Sequence, residues 1–178
     1  PLTESEGYPD AAYSDGQKTV VAMQALSRFA KQAKPFFYSV GFQKPHLPFV
    51  APKKYWDLYN REEINLAYQG RGEGVPKHAF GNMGELQSYS LKEALPFSED
   101  YQRELIHGYF ACVSFIDAQV GLLLDKLDEL NLSDKTIICL WGDHGWHLGD
   151  HGLWCKHSNF EQAVRSPLII ASPNMKAK

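Results

Sequence analysis

Cysteine is scarce in this sequence, and what there is carries no metal or redox spacing. Cys112, Cys139 and Cys155 form no C-x-x-C pair, and an odd count supports no disulfide framework. Cys112 falls in an apolar helical stretch and Cys139 in an apolar strand-like run, so both are expected to be buried thiols. An excess of positive charge is also absent. Lys and Arg number 18 against 21 Asp and Glu, a net charge of -3, which leaves no basic field to hold nucleic acid. No apolar run approaches the roughly 20 residues of a membrane-spanning helix. Internal repeats and low-complexity tracts are missing too. The chain starts at Pro1 with neither methionine nor signal sequence, and residues 172–178 follow directly on a strand-like run. Both ends therefore read as interruptions of a longer protein.

Hydrophobic residues make up 44% of the 178 and charged residues 22%, enough for a globular core of ordinary size in one domain or part of one. Residues 1–15 read as a polar loop. Val20, Val21, Met23, Leu26, Phe29 and Ala30 fall near helical spacing. They predict a helix capped by Asp15 and ended by Pro35, with Lys31 and Lys34 at its negative end. Residues 36–42 read as a buried strand, 43–49 as a proline-broken loop, and 52–60 as a short helix. Residues 61–97 show no sustained period and read as a long surface excursion, a class of loop that is often functional.

Ser98, followed by Glu99 and Asp100, opens the strongest helix signal. Leu105, Ile106, Tyr109, Phe110, Val113, Ile116, Val120, Leu123, Leu124 and Leu127 recur at three and four residues as far as Leu130, and Asn131 is a plausible stop. Residues 135–141 read as a second buried strand, 142–152 as a glycine-punctuated loop, 158–164 as a turn or two of helix, and 167–171 as a third strand. This order predicts an α/β three-layer sandwich around a mainly parallel sheet.

Chemistry-bearing side chains are densest between Asp143 and Lys156, where His144, His147, Asp150 and His151 alternate with Gly142, Gly145, Gly149 and Gly152. In open α/β sheets ligands collect beyond the carboxyl ends of strands, and Asp143 and His144 stand just past Trp141. An adjacent carboxylate and imidazole can reach one cation. Oxygen donors suit Ca2+ or Mg2+, and added nitrogen suits Zn2+ or Mn2+. For this pair alone, a capping Asp beside a half-exposed His is an equally good reading. His147 and His151 are four apart, but the intervening glycine and the missing glutamate argue against a zinc-protease helix.

Gly142-Asp-His-Gly-Trp-His-Leu-Gly-Asp-His-Gly-Leu-Trp-Cys-Lys156 resembles the second metal-and-sulfate segment of the sulfatase family, a strand followed by D-H-G, a glycine-rich turn, G-[DE]-H-G and a lysine. Phe160-Glu-Gln-Ala-Val-Arg-Ser-Pro-Leu-Ile-Ile170 is similar to that family's F-E-x-x-x-R-x-P-L-I run, and Phe37-Tyr-Ser-Val-Gly-Phe-Gln-Lys-Pro-His-Leu-Pro-Phe49 to its strand-then-K-P-H segment. The combination is closest to the iduronate-2-sulfatase-like branch and covers about Asp15 to Ser172. The resemblance implies an alkaline-phosphatase-like α/β fold, with residues 1–178 as the central part of a catalytic domain. It implies Asp143 and His144 as ligands of a metal ion, usually Ca2+, with Mg2+ or Zn2+ less common. Lys156 then contacts the sulfate, His46 stands near the leaving-group oxygen, Trp146 shapes the substrate pocket, and Lys44 either holds sulfate or faces solvent. His147, Asp150 and His151 are expected in supporting roles, and nothing in their context raises His78 or His107.

The family nucleophile, a formylglycine made within C-x-[PA]-x-R, has no counterpart at any cysteine or serine here, and neither do the family's paired N-terminal aspartates. The resemblance places both upstream, so this chain alone is expected to be inactive. The parent is expected to hydrolyse a sulfate ester on an acidic sugar such as a glycosaminoglycan unit, and to work in the periplasm, outside the cell or in the lysosome. Two alternatives stay open: a phosphodiesterase or phosphonate hydrolase of alkaline-phosphatase type, and a relic that kept the fold without the chemistry.

Overall fold

A computed structural model of the chain describes residues 2–32, 34–81, 83–173 and 175, so the sequence reading of the last residues falls partly outside the described ones. In chain order its elements are β1 (Thr3–Glu4), α1 (Ser14–Phe29), β2 (Phe49–Val50), α2 (Lys53–Trp56), α3 (Gly84–Gln87) and α4 (Glu99–Glu129). There follow β3 (Ile138–Trp141), β4 (His147–Leu148), β5 (Trp154–Cys155), α5 (Glu161–Val164) and β6 (Leu168–Ala171). Among the described residues no helix is long and apolar enough to cross a membrane.

The long helix forms where its signals lie. Ser98 caps α4 by accepting from the Tyr101 N–H, Glu99 and Asp100 fill its first turn, and Asn131 leaves it in the left-handed region at φ 55°. Its buried face differs in part from the expected stripe. Leu105, Ile106, Cys112 and Phe115 are buried, but so are Gln102, His107 and Gln119, whereas Phe110, Val113 and Leu124 are exposed. The polar residues are buried because each has a partner. Gln102 Nε2 donates to the Phe97 carbonyl at 3.0 Å, and Gln119 Nε2 to Asp10 Oδ2 at 2.9 Å. His107 Nε2 meets the Trp56 carbonyl at 2.8 Å, tying α2 to α4.

Leu47, Phe49, Ala51, Tyr55 and Trp56 pack onto α4 to form the main core, and α1, which buries Ala22, Ala25 and Leu26, lies against the same helix. Fully burying a side chain such as Phe49 contributes about 1.5–3 kcal/mol. Gly108 makes this packing possible: a Cβ there would stand 2.8 Å from both Phe49 Cβ and Trp56 Cη2.

Several expectations need correction. α1 ends at Phe29, not at Pro35, because Phe29 stacks on Phe36 at 5.1 Å and meets Tyr38 edge-on at 5.4 Å as the chain folds back. Lys31 and Lys34 therefore lie beyond the helix. Asp15 is not its cap, since Tyr13 precedes the first turn and Asp15 is buried inside it. Residues 36–42 form no ladder among the described residues, and Phe37 is 93% exposed. Cys139 is likewise exposed, unlike Cys112 and Cys155. The excursion over 61–97 is not all surface, because Ile64, Phe80, Leu86 and Phe97 are buried.

A mainly parallel sheet is not what the described strands make. β3 pairs antiparallel with β6 and β4 antiparallel with β5, and only the two-residue β1–β2 pair is parallel. Parallel pairing needs a crossover, usually a helix. The segment between β3 and β6 is instead given over to the β4–β5 hairpin and the four-residue α5.

Two glycines of α4 test the packing by opposite signs. Gly108→Ala is expected to destabilise by about 1–2 kcal/mol, because overpacking outweighs the roughly 1 kcal/mol gained in helix propensity. At Gly121 a Cβ would meet nothing within 4 Å, so Gly121→Ala should gain about 1 kcal/mol. Urea unfolding of the two variants reads the difference, and equal shifts would refute the close approach at Gly108.

Candidate active site

β3 ends at Trp141 and is continued by Gly142, whose N–H donates to the Pro167 carbonyl at 3.0 Å and keeps the exit of β3 beside the entry to β6. Asp143 and His144 follow. The Asp143 side chain is exposed, and its Oδ1 accepts the His144 N–H at 3.1 Å. His144 Nδ1 donates to the Gly145 carbonyl at 2.7 Å, so the lone pair sits on Nε2. That Nε2 lies 3.7 Å from Asp143 Oδ2, a separation two ligands of one cation can span at about 2.4 Å each. The two donors fit a divalent ion as part of a cage. Among the described residues, no group of three or more His, Cys, Asp or Glu side chains is placed to complete it.

Gly145 is tightly held. Its N–H donates to the Ala163 carbonyl at 2.7 Å, and a Cβ would lie 2.1 Å from the Gln162 carbonyl oxygen. The chain after it forms the β4–β5 hairpin, turning through Gly149 (φ 101°), His151 (φ 58°) and Gly152 (φ 71°). The supporting residues are occupied inside this turn. His147 Nε2 meets Ser158 Oγ at 2.7 Å, Asp150 Oδ2 accepts the Leu148 N–H at 3.2 Å, and His151 lies against Phe160 at 4.6 Å. Burial lowers the His147 pKa.

The other wall of the site comes from residues 43–48. The buried Asp15 carboxylate accepts the Gln43 N–H at 3.0 Å and the Lys44 N–H at 2.9 Å, and pairs with Lys18 at 2.8 Å. A carboxylate in α1 thus orients a loop to which no local pattern in the sequence links it. His46 Nδ1 donates to the Leu47 carbonyl at 2.8 Å, which turns Nε2 outward. There it meets Lys156 Nζ at 2.8 Å. Lys156 Nζ also lies 4.9 Å from the Trp146 ring centre, and Trp146 meets His46 at 5.4 Å and His144 at 6.1 Å. The structure therefore gathers His46, His144 and Lys156 around the Trp146 indole, with Asp143 adjoining.

Lys44 is turned away from this group. Its Nζ donates to the His46 carbonyl at 2.9 Å and the Pro48 carbonyl at 2.7 Å, and burial lowers its pKa against the opposing pull of Cys112 and Asp15. A residue without any sequence signal joins instead. Glu85 of α3 accepts from Lys156 at 2.8 Å, lies 2.9 Å from His46 Nε2, and reaches His157 at 3.2 Å. Burial alone would raise the Glu85 carboxyl, but hydrogen bonding and charge from Lys156, with His46 and His157 behind, hold it below the usual carboxylate range. Leu86 anchors α3 in the core, and Gly81 lets the preceding turn lie on the His157 carbonyl.

A sulfatase family model matches residues 3–178. The chain belongs to the sulfatase family. It is 41% identical to human iduronate 2-sulfatase over 177 residues, covering 95% of this chain and 32% of the human one. It is 33% identical to the choline-sulfatase of Rhizobium meliloti over 175 residues, covering 90% and 32%. Among solved structures it superposes on the phosphonate monoester hydrolase SpPMH from Silicibacter pomeroyi with a TM-score of 0.76 and 26% identity, over 95% of this chain and 34% of that one. The fold is thus of the α/β, alkaline-phosphatase-like kind, and this sulfatase chain spans about a third of the length of these relatives.

Two measurements check the support beneath the site. Asp15→Ala strands two amide donors, so it should cost about 2–4 kcal/mol in urea unfolding, whereas loss of the exposed Lys53–Asp57 pair by Asp57→Ala should cost under about 0.5 kcal/mol. Similar costs would remove Asp15 from its role. For His147, the folded pKa lies below the unfolded value of about 6.5, so below that pH the unfolded chain binds a proton that the folded one refuses. Stability should fall as pH drops through about 6.5, and His147→Gln should flatten that slope in unfolding curves taken between about pH 7.5 and 5.5.

Proposed function

We propose that the protein carrying this chain hydrolyses a sulfate ester on an acidic sulfated sugar, a sulfated uronic acid or another glycosaminoglycan unit. The observation that carries the reading is the 2.8 Å approach of His46 Nε2 to Lys156 Nζ beside Trp146 and His144. Iduronate 2-sulfatase and choline-sulfatase among the relatives support the sulfate ester as substrate class.

In this reading Lys156 holds the tetrahedral sulfo group as a point charge. His46, pinned through Nδ1 by the Leu47 carbonyl, presents Nε2 to the leaving sugar oxygen and as imidazolium gives it a proton. Trp146 supplies a flat wall for the sugar. Lys44 spends two N–H groups on its own loop and adds positive charge behind His46. Asp143 and His144 would hold a divalent cation, with Ca2+ the ion we favour, which supplies charge stabilisation at a sulfate oxygen. The chain contains no C-x-[PA]-x-R, so the formylglycine nucleophile of the family is not among its residues. We place the working enzyme in the periplasm, outside the cell or in the lysosome.

A second reading, phosphonate or phosphodiester hydrolysis, draws on the structural likeness to SpPMH. An ammonium and an imidazole grip either tetrahedral anion, so substrate preference separates the two. In the full-length protein, His46→Ala, Lys156→Ala and Asp143→Asn should each lower kcat/KM for an aryl or sugar sulfate by about 10²-fold or more. Unchanged activity in all three would overturn the residue roles. Faster turnover of an aryl phosphonate than of the matching sulfate would favour the second reading.

A further inference from the structure

Glu85 sits where an anion should sit. One of its oxygens lies 2.8 Å from Lys156 Nζ and 2.9 Å from His46 Nε2, and the other lies 3.2 Å from His157 Nε2. Lys156 and His46 are the groups that the proposed reaction would turn toward the sulfate ester. The carboxylate therefore neutralises the ammonium that is meant to attract substrate, and does so within the site. Its position is built and not incidental. Glu85 belongs to a four-residue helix whose neighbour Leu86 is 1% exposed in the core, and the Gly81 turn before it is seated on the His157 carbonyl, where a Cβ would stand 1.7 Å from that oxygen. The ion pair is largely shielded, with 19% of the Lys156 side chain and 18% of that of Glu85 exposed, so its charges are felt strongly.

We infer that Glu85 is a resident anion of this site, competing with the sulfo group for Lys156 and His46 and so setting affinity for substrate and for product sulfate. This rests on the reading of Lys156 and His46 given above. A bound sulfo group must displace the carboxylate from Lys156 or share that ammonium with it. Once the ester is cleaved, return of the carboxylate to Lys156 weakens the hold on the sulfate dianion and favours its release. Glu85 is thus a specificity-determining and positioning residue. The sign of its effect separates it from a strut, because a strut that merely steadies Lys156 would weaken anion binding when removed.

The test is inhibition of the full-length enzyme by inorganic sulfate, with KM and kcat measured for one aryl sulfate. Glu85→Gln keeps the shape and the hydrogen-bonding capacity and removes the charge. It should tighten sulfate inhibition by about tenfold and lower KM more than it changes kcat. Glu85→Ala, which abolishes the contact, should give the same sign, and Glu85→Asp, which keeps the charge, should stay within about threefold of wild type. Weaker or unchanged sulfate inhibition in both Glu85→Gln and Glu85→Ala overturns the inference. Lys156→Ala locates such a failure: if it weakens sulfate inhibition while the Glu85 variants do not tighten it, only the role of Glu85 falls. If Lys156→Ala also leaves inhibition unchanged, the reading of the site falls with it.

Discussion

Lys156 and His46 lie 110 positions apart in the chain and meet at 2.8 Å. An ammonium and an imidazole at that distance need a reason to stay together, because an imidazolium there would repel the ammonium. The structure supplies three. His46 can take the proton-accepting role at Nε2 because its Nδ1–H is committed to the Leu47 carbonyl. Glu85 lies against both groups with one carboxylate oxygen. The Trp146 ring offers Lys156 the negative face of an aromatic while meeting His46 edge-on. Remove these and the pair has no cause to persist.

Holding the pair in place is the work of elements far from it. α4 is the surface on which the His46 loop is laid, with Leu47 and Phe49 buried either side of the half-buried Pro48, and Gly108 gives Phe49 the room to approach. Asp15 fixes the start of that loop from α1 through two backbone amides. On the opposite wall, the tight seat of Gly145 on α5 and the β4–β5 hairpin deliver Trp146 and Lys156 to the same place. Asp143 and His144 hang at the exit of β3, with the His144 ring beside Trp146 and the Asp143 side chain open to solvent.

Legibility in the sequence followed the range of the forces involved. Ser98, the acidic first turn and Asn131 act within one helical turn, and α4 begins and ends where they lie. Residues 36–42 and Cys139 have the composition of buried strand, yet burial depends on what covers them, and among the described residues little does. Asp15 has the side chain of a helix cap, but a buried carboxylate goes to whichever unpaired amides are near, and those belong to Gln43 and Lys44. Glu85 had no local signal at all, because it lies in a segment without periodicity whose course is set by single anchors such as Leu86 and Phe80.

From its order of residues alone, then, this protein discloses its long helix and its glycine-rich turn after β3, and its motifs mark His, Asp and Lys side chains only through their resemblance to the sulfatase family. The first two depend on periodicity and turn chemistry, which are properties of neighbouring residues. Tertiary structure alone decides that β3 pairs antiparallel with β6, that Lys44 folds back on the carbonyls of His46 and Pro48 while Lys156 reaches His46, and that the Glu85 carboxylate of α3 lies against both Lys156 and His46. Such meetings are fixed by how buried side chains pack across more than a hundred residues of chain, and no local rule specifies them.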